Sequence, residues 1–202
     1  MNKEDFLVGD EDGLKVTNSP VVAKHVAERL RECVGLVNIL EVCCGIGSTT
    51  IELAKVFPKV FAVDINPKRI EFAKKNILSA GLSNVEFFSE DIFEENLFRA
   101  LSSKKIDVVH TDVEWTTTGI YGQDHATDIE KTTPNTSKLF QYLQKGFTEN
   151  ICMRLPKSIN REQLRNLANC EIEEVYKNGE LKFIYVYGQL ARKPISKINL
   201  SF

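Results

Sequence analysis

Four successive apolar runs in this chain end in, or lead directly into, a carboxylate: Glu41, Asp64, Asp91 and Asp112. Ionised carboxylates only accept hydrogen bonds, so such a row suits a ligand carrying hydroxyls, amines and positive charge. Glu41 opens Glu41-Val-Cys43-Cys-Gly45-Ile-Gly47, where two glycines one residue apart close an apolar run. Lacking Cβ atoms, they allow a tight turn and close approach of the backbone to a ligand. A helix start follows, and its bare amides face the crevice where open α/β sheets hold nucleotide-like ligands. Asp64, about twenty residues after the glycines, is placed to accept from two ribose hydroxyls. Asp91 can accept from the exocyclic amine of an adenine, and Glu41 can orient the glycine loop or meet an ammonium. Asp112 sits where a second substrate should arrive, followed by Glu114 and the only tryptophan, Trp115.

Two features separate this loop from a pyrophosphate cradle. Dinucleotide folds place a third glycine three residues after the second, because the helix N-terminus must carry the pyrophosphate. Here that position is Thr50. Glu41, four residues before the first glycine, would also repel a pyrophosphate by like charge. S-adenosylmethionine has no phosphate and carries a sulfonium and an ammonium, so an acidic loop suits it. The expected cofactor is therefore this methyl donor.

The elements that must position these residues follow from periodicity and caps. Residues 1–18 read as a polar arm with a turn at Asp10–Gly13. Ser19-Pro20 begins a helix with stripe Val22, Val26 and Leu30 that ends near Gly35. Strands are expected at Val37–Val42, Lys59–Asp64, Asn84–Ser89, Ile106–Thr111 and Asn150–Leu155. Helices fall between them: from Gly47 to Phe57, from Asn66-Pro67 to Gly81, over Glu94–Leu101, and over Ser137–Phe147. Thr116–Pro134 is a long polar loop, a length more often functional than filler. Asn160-x-x-Gln163 is a capping box for a further helix. Glu171–Tyr176 and Leu181–Gly188 alternate around Asn178-Gly179, a strong hairpin signal. The expected fold is α/β: a doubly wound, seven-stranded, mainly parallel sheet with an antiparallel last strand. The expected organisation is an arm and helix over 1–35, a catalytic domain over 36–193 and a loose tail over 194–202.

Composition narrows the function classes. The 202 residues are 43% hydrophobic and 27% charged, with a net charge of −2, as in soluble globular proteins. No membrane span or signal peptide is expected. The five cysteines have neither disulfide-framework nor metal-ligand spacing, so no metal is expected and a reducing cytoplasm is. Lys and Arg outnumber Asp and Glu from Gln141 onward, with Arg154, Lys157, Arg161, Arg165, Arg192 and Lys193 among them. His25, His110 and His125 lack spacing for a metal site or a triad.

Glu41-x-x-x-Gly45-x-Gly47, Asp64 and Asp91 resemble the cofactor motifs of class I S-adenosylmethionine-dependent methyltransferases. From Gly13 to Arg192 the chain looks more narrowly like the trimethylguanosine synthase family, the RNA cap guanine-N2 methyltransferases. Val42–Gly47, Ala62–Pro67, Ala73-x-x-Asn76, Leu155-Pro156-Lys157 and Tyr185-x-Tyr187-Gly188-x-Leu190 carry the likeness. The resemblance implies a cofactor set of Glu41, Cys43, Gly45, Gly47, Asp64, Ile65, Asp91, Ile92 and Asp112. It further implies substrate contacts from Trp115, Tyr121 and Lys157, with the lysine meeting a phosphate. The fourth motif departs: the family has Ser-Pro-Pro-Trp followed by glycines, whereas this chain has Asp112-Val113-Glu114-Trp115-Thr116-Thr117. The clamp chemistry survives the change in outline. A side-chain oxygen and a backbone carbonyl accept the two hydrogens of an exocyclic amine while the aromatic ring stacks on the base. Asp112 and Trp115 are the expected catalytic pair, with Glu114 as a possible proton acceptor.

The implied activity is methyl transfer to the N2 amine of guanine in RNA, either a 7-methylguanosine cap or a guanosine in structured RNA. The alternatives are a small-molecule or protein methyltransferase and a non-catalytic cofactor-binding module. The expected setting is cytoplasmic, or nuclear in a eukaryote, with RNA as partner, no membrane and a monomer slightly favoured.

Overall fold

A computed structural model describes residues 7–116, 125–167, 169–190 and 195–201. The chain divides into two compact units, Met1–Asp107 and Val108–Phe202.

In the first unit, helix α1 spans Glu11–Val16 and is capped by the Asp10 carboxylate, which accepts from Gly13 N. The expected turn at Asp10–Gly13 is thus the start of a short helix. Helix α2 covers Pro20–Val34 with Ser19 as its cap. Its stripe of Val22, Ala23, Val26, Ala27 and Leu30 is 0–1% exposed, so this face of the helix is buried as its periodicity predicts. Strands β1 (Asn38–Val42), β2 (Lys59–Val63) and β3 (Val85–Phe88) lie in the order β3-β2-β1 and pair in parallel. Helices α3 (Ser48–Val56) and α4 (Pro67–Ser79) provide the parallel crossovers, and α5 (Glu95–Ser102) follows β3. Register aligns Val42, Val63 and Phe88. The three strand ends are therefore level, and the segments holding Cys43, Asp64 and Asp91 leave from one rim.

In the second unit the strand order is β4 (Val108–Asp112), β5 (Ile151–Pro156), β7 (Glu180–Gly188), β6 (Cys170–Lys177) and β8 (Ile195–Asn199). Strand β4 (Val108–Asp112) runs parallel to β5 (Ile151–Pro156). Helix α6 (Thr136–Gly146) lies between them in sequence, and α7 (Arg161–Leu167) follows β5. Strands β6 (Cys170–Lys177) and β7 (Glu180–Gly188) form the expected hairpin, and β7 is antiparallel to both its neighbours. Asn178 and Gly179 take φ of 52° and 77°, the two left-handed residues that this tight hairpin turn requires. The tail expected to be loose adds an eighth strand, β8 (Ile195–Asn199), parallel to β6. Its sequence has no clean alternation, and the free edge of β6 supplies the pairing that propensity did not announce.

The long polar loop is partly structured where described. A 3₁₀ turn at Ile129–Lys131 buries Ile129. Gln163 does not close a capping box: its amide reaches Asp128 Oδ1 at 2.9 Å, and its Oε1 accepts from Ile129 N at 3.3 Å. The side chain is drawn from its own helix to hold the end of the loop.

Candidate active site

The glycine loop of the first unit is built from backbone turns and two carboxylates. Cys43, Gly45 and Gly47 take φ of 60°, 56° and 85°. A Cβ at Gly45 would meet no described atom within 4 Å, whereas one at Gly47 would stand 3.0 Å from Ala73 Cβ. The two glycines therefore do different work. Gly45 leaves open space over the loop, and Gly47 lets α3 approach α4. Asp64 is 7% exposed and accepts from Gly45 N at 2.8 Å and from Asn66 N at 2.9 Å. Each of its oxygens keeps further lone-pair capacity. Glu41, only 2% exposed, accepts from Thr50 Oγ1 at 2.5 Å. Thr50, which stands in place of a third glycine, thus ties the acid to α3, and Glu41 orients the loop.

Two further side chains brace this loop. Asn76 of α4 donates to Ile46 O at 2.8 Å and to Val8 O at 2.9 Å, and accepts from Val8 N at 2.8 Å. Asn18 donates to Thr49 Oγ1 at 3.0 Å. The segment before α2 is thereby pinned to the glycine loop, and Gly9 and Gly13 pack against Ile46 so closely that a Cβ on either would clash with it. Burial, reinforced by the charges of Glu41 and Asp64, pushes the Cys44 thiol well above its ordinary range. It is an inert neutral thiol. Beside Asp64, Ile65 exposes 68% of its surface, while Ile92 is 5% exposed. Asp91 Oδ1 accepts from Phe93 N at 3.0 Å.

In the second unit, Asp112 ends β4 opposite Arg154 of β5, which in turn faces Tyr185 of β7. The Arg154 guanidinium donates to Asp112 Oδ2 at 2.8 Å. Its central carbon lies 4.4 Å from the Trp115 ring centroid and 4.2 Å from that of Phe183. His125 meets Trp115 edge-on, with centroids 5.9 Å apart at 82°. Glu114 Oε1 accepts from the amides of Trp115 and Thr116 at 3.0 and 3.1 Å. Its backbone pairs with Thr133, and Trp115 O accepts from Ala126 N. The Glu114 side chain and the 125–133 segment together fix the tryptophan. Phe183 and His125 were not legible as site residues, and Arg154 was legible only as the first of the basic positions expected to hold RNA, because strand register and loop return bring them to Trp115. Burial drives the Tyr185 hydroxyl well above its ordinary pKa, so it stays protonated. Lys157 lies at the surface, 3.3 Å from Glu180, which it shares with Lys182. Tyr121 lies outside the described residues. Among those described, no group of three or more His, Cys, Asp or Glu is placed to hold a metal, and no helix is long and apolar enough to cross a membrane.

The profile of a family described as RNA cap guanine-N2 methyltransferase matches residues 37–190, most of the chain. The chain belongs to that family. Trimethylguanosine synthase of Saccharomyces cerevisiae is 27% identical over 177 residues, covering 81% of this chain and 55% of the yeast protein. A tRNA/tmRNA (uracil-C(5))-methyltransferase of Campylobacter lari is 40% identical over 68 residues, covering 34% of this chain but only 19% of that enzyme. The chain thus spans about half or less of the length of these curated relatives. Among solved structures, a Porphyromonas gingivalis W83 protein assigned as a methyltransferase aligns at TM-score 0.76 and 17% identity, over 96% of this chain and 48% of its own. A Listeria monocytogenes protein assigned as a class I S-adenosylmethionine-dependent methyltransferase aligns at 0.57 and 12%, over 100% of this chain and 76% of its own. These likenesses show the class I methyltransferase fold, mainly parallel with antiparallel strands at its C-terminal side.

S-adenosylmethionine is the methyl donor of the class to which this family belongs. The glycine loop fits that group. It has open space over Gly45 and a carboxylate on the Gly45 amide, and the buried acid Glu41 stands where a pyrophosphate would be repelled.

Proposed function

We propose that this chain transfers a methyl group from S-adenosylmethionine to the exocyclic N2 amine of a guanine in RNA. When bound, the donor supplies an activated sulfonium methyl, so the protein's work is positioning, exclusion of water and electrostatics at the amine. In the first unit, Asp64 accepts from the ribose hydroxyls, Gly45 and Cys43 line the donor, and Ile65 and Ile92 cover its apolar base. Asp91 accepts from the base amine. In the second unit, Asp112 accepts from the guanine amine and Trp115 stacks on the base, held by Glu114 acting as a turn cap. Lys157 is long and exposed, and a solvent-screened surface pair such as that with Glu180 holds it only weakly. It is free enough to meet a phosphate.

The observation that carries the reading is Asp112 and Trp115 at the end of β4: an acceptor carboxylate with a braced aromatic three residues on. Family membership supports an RNA substrate, and a 7-methylguanosine cap or a guanosine in structured RNA each presents the required amine. The test is incubation of labelled donor with total RNA, followed by identification of the labelled nucleoside. N2-methylated guanosine is expected. Label on a uracil carbon, or none on RNA, would overturn the assignment. Asp112→Ala and Trp115→Ala should each abolish transfer with donor affinity unchanged, and loss of donor binding in both would refute their assigned roles.

A further inference from the structure

The second unit holds an internal look-alike of the proposed substrate. A guanine carries a guanidine group within its ring system: N1–H, C2 and the N2 amine present two near-parallel N–H donors on a planar frame. The Arg154 guanidinium presents the same kind of edge. It donates to Asp112 Oδ2 at 2.8 Å, and its flat group lies 4.4 Å from the Trp115 ring. These are the two contacts proposed for the base. Phe183 takes a share of the same cation at 4.2 Å. Its ring is tilted 43° to Trp115 with centroids 6.2 Å apart. The two rings flank the guanidinium, so a base stacked on Trp115 must take its place.

We propose that Arg154 occupies the guanine position of this slot, as a built-in competitor that must swing off Trp115 and Asp112 before a base can enter. The inference rests on the guanine reading above and adds a specificity device to it. Several observations support the arrangement. Arg154 is fixed in register between Asp112 and Tyr185, so all three side chains leave the same face of the sheet. Among the described residues it is held by one hydrogen-bonded ion pair, and its buried Nε has no hydrogen-bond partner. Trp115 Nε1 and Tyr185 Oη are likewise buried without hydrogen-bond partners. Buried polar atoms ordinarily find partners, so this cluster fits a slot whose satisfied state includes an incoming group. The side chains of Arg154 and Asp112 keep 12% and 21% exposure, so neither is sealed. A slot that is self-filled by a guanidinium selects against bases that cannot replace both contacts. Adenine offers Asp112 one donor with the acceptor N1 beside it, which faces the carboxylate unfavourably, whereas guanine offers two donors on one edge.

The sole tryptophan makes the test direct, because intrinsic fluorescence reports stacking on Trp115 alone. Guanosine 5′-monophosphate and adenosine 5′-monophosphate would be titrated into wild type, Arg154→Met and the double variant Asp112→Asn with Arg154→Met. Removing the competitor should tighten binding of the guanine nucleotide about tenfold, since a cation–π contact and a charge-assisted hydrogen bond no longer have to be displaced. The adenine nucleotide should change little, and the double variant should lose the preference between them. Circular dichroism and donor affinity check the fold. Arg154→Lys keeps a cation against Asp112 but gives up the planar group, and it should show part of the same gain. Unchanged or weaker guanine binding in both Arg154 variants would overturn the proposal. If wild type makes N2-methylguanosine from total RNA and the variants bind no tighter, only the competitor falls. If the variants bind guanine tighter but no N2-methylguanosine forms, the slot stands and the assigned reaction falls.

Discussion

The brace at Asn76 gives a sharp test of how the glycine loop is held. This amide is 3% exposed and makes three hydrogen bonds, to Ile46 O, Val8 O and Val8 N. In Asn76→Ala all three are lost. A net contribution of about 1 kcal/mol per bond sets a loss of roughly 3 kcal/mol. The better helix propensity of alanine returns roughly 0.6 kcal/mol. Val8 is 46% exposed, so water replaces part of its share, and the net destabilisation should be about 2 kcal/mol. For a chain of this size that corresponds to a drop in Tm of about 4–8 °C. Asn76→Asp should cost more than alanine although it is nearly isosteric, because a carboxylate oxygen would then face two carbonyl oxygens. Both variants should weaken S-adenosylmethionine binding, about tenfold for alanine, because the Ile46 carbonyl and the arm are released together. Scanning calorimetry and isothermal titration read the two effects. A Tm within about 1 °C of wild type in Asn76→Asp, far inside the shift worked out above, would refute the reasoning.

The two loop glycines should separate. Gly47→Ala combines a φ of 85° with a Cβ 3.0 Å from Ala73 and should cost roughly 2–4 kcal/mol by chemical denaturation. Gly45→Ala adds a methyl to open space at a φ of 56° and should cost only about 1–2 kcal/mol, yet lower donor affinity by filling the cradle; equal stability losses would contradict this division. Cys44, buried with its thiol pushed up, should resist alkylation in the native protein at pH 8 while the half-buried Cys43 reacts. Peptide mapping that found both modified at one rate would contradict the burial.

Much of the fold was legible because parallel-sheet proteins announce themselves through periodicity. Apolar runs, Ser19-Pro20 and Asn66-Pro67 caps and the Asn178-Gly179 turn are local signals, and each element they mark is present within a residue or two. Elements whose stability is borrowed were missed. Strand β8 exists through its pairing with β6, and α1 sits under a close contact between Gly13 and Ile46. Gln163 had the spacing of a cap, yet a partner thirty-five residues away in sequence claims its amide.

By itself the sequence determined the identity and order of the chemistry: an acidic, phosphate-averse glycine loop, a row of strand-end carboxylates, and an acceptor with a tryptophan three residues later. These are properties of residue type and short spacing, which a chain carries whether folded or not. Only the tertiary structure decided who holds whom. Asp112 meets Arg154 because β4 and β5 pair in one register, and a slip of one residue would send that guanidinium to the other face of the sheet. Glu41 orients its loop because α3 brings Thr50 back within 2.5 Å. Asn76 braces that loop because α4 crosses beside it. Such contacts depend on register and crossing geometry set by the packing of whole elements, which no local pattern encodes.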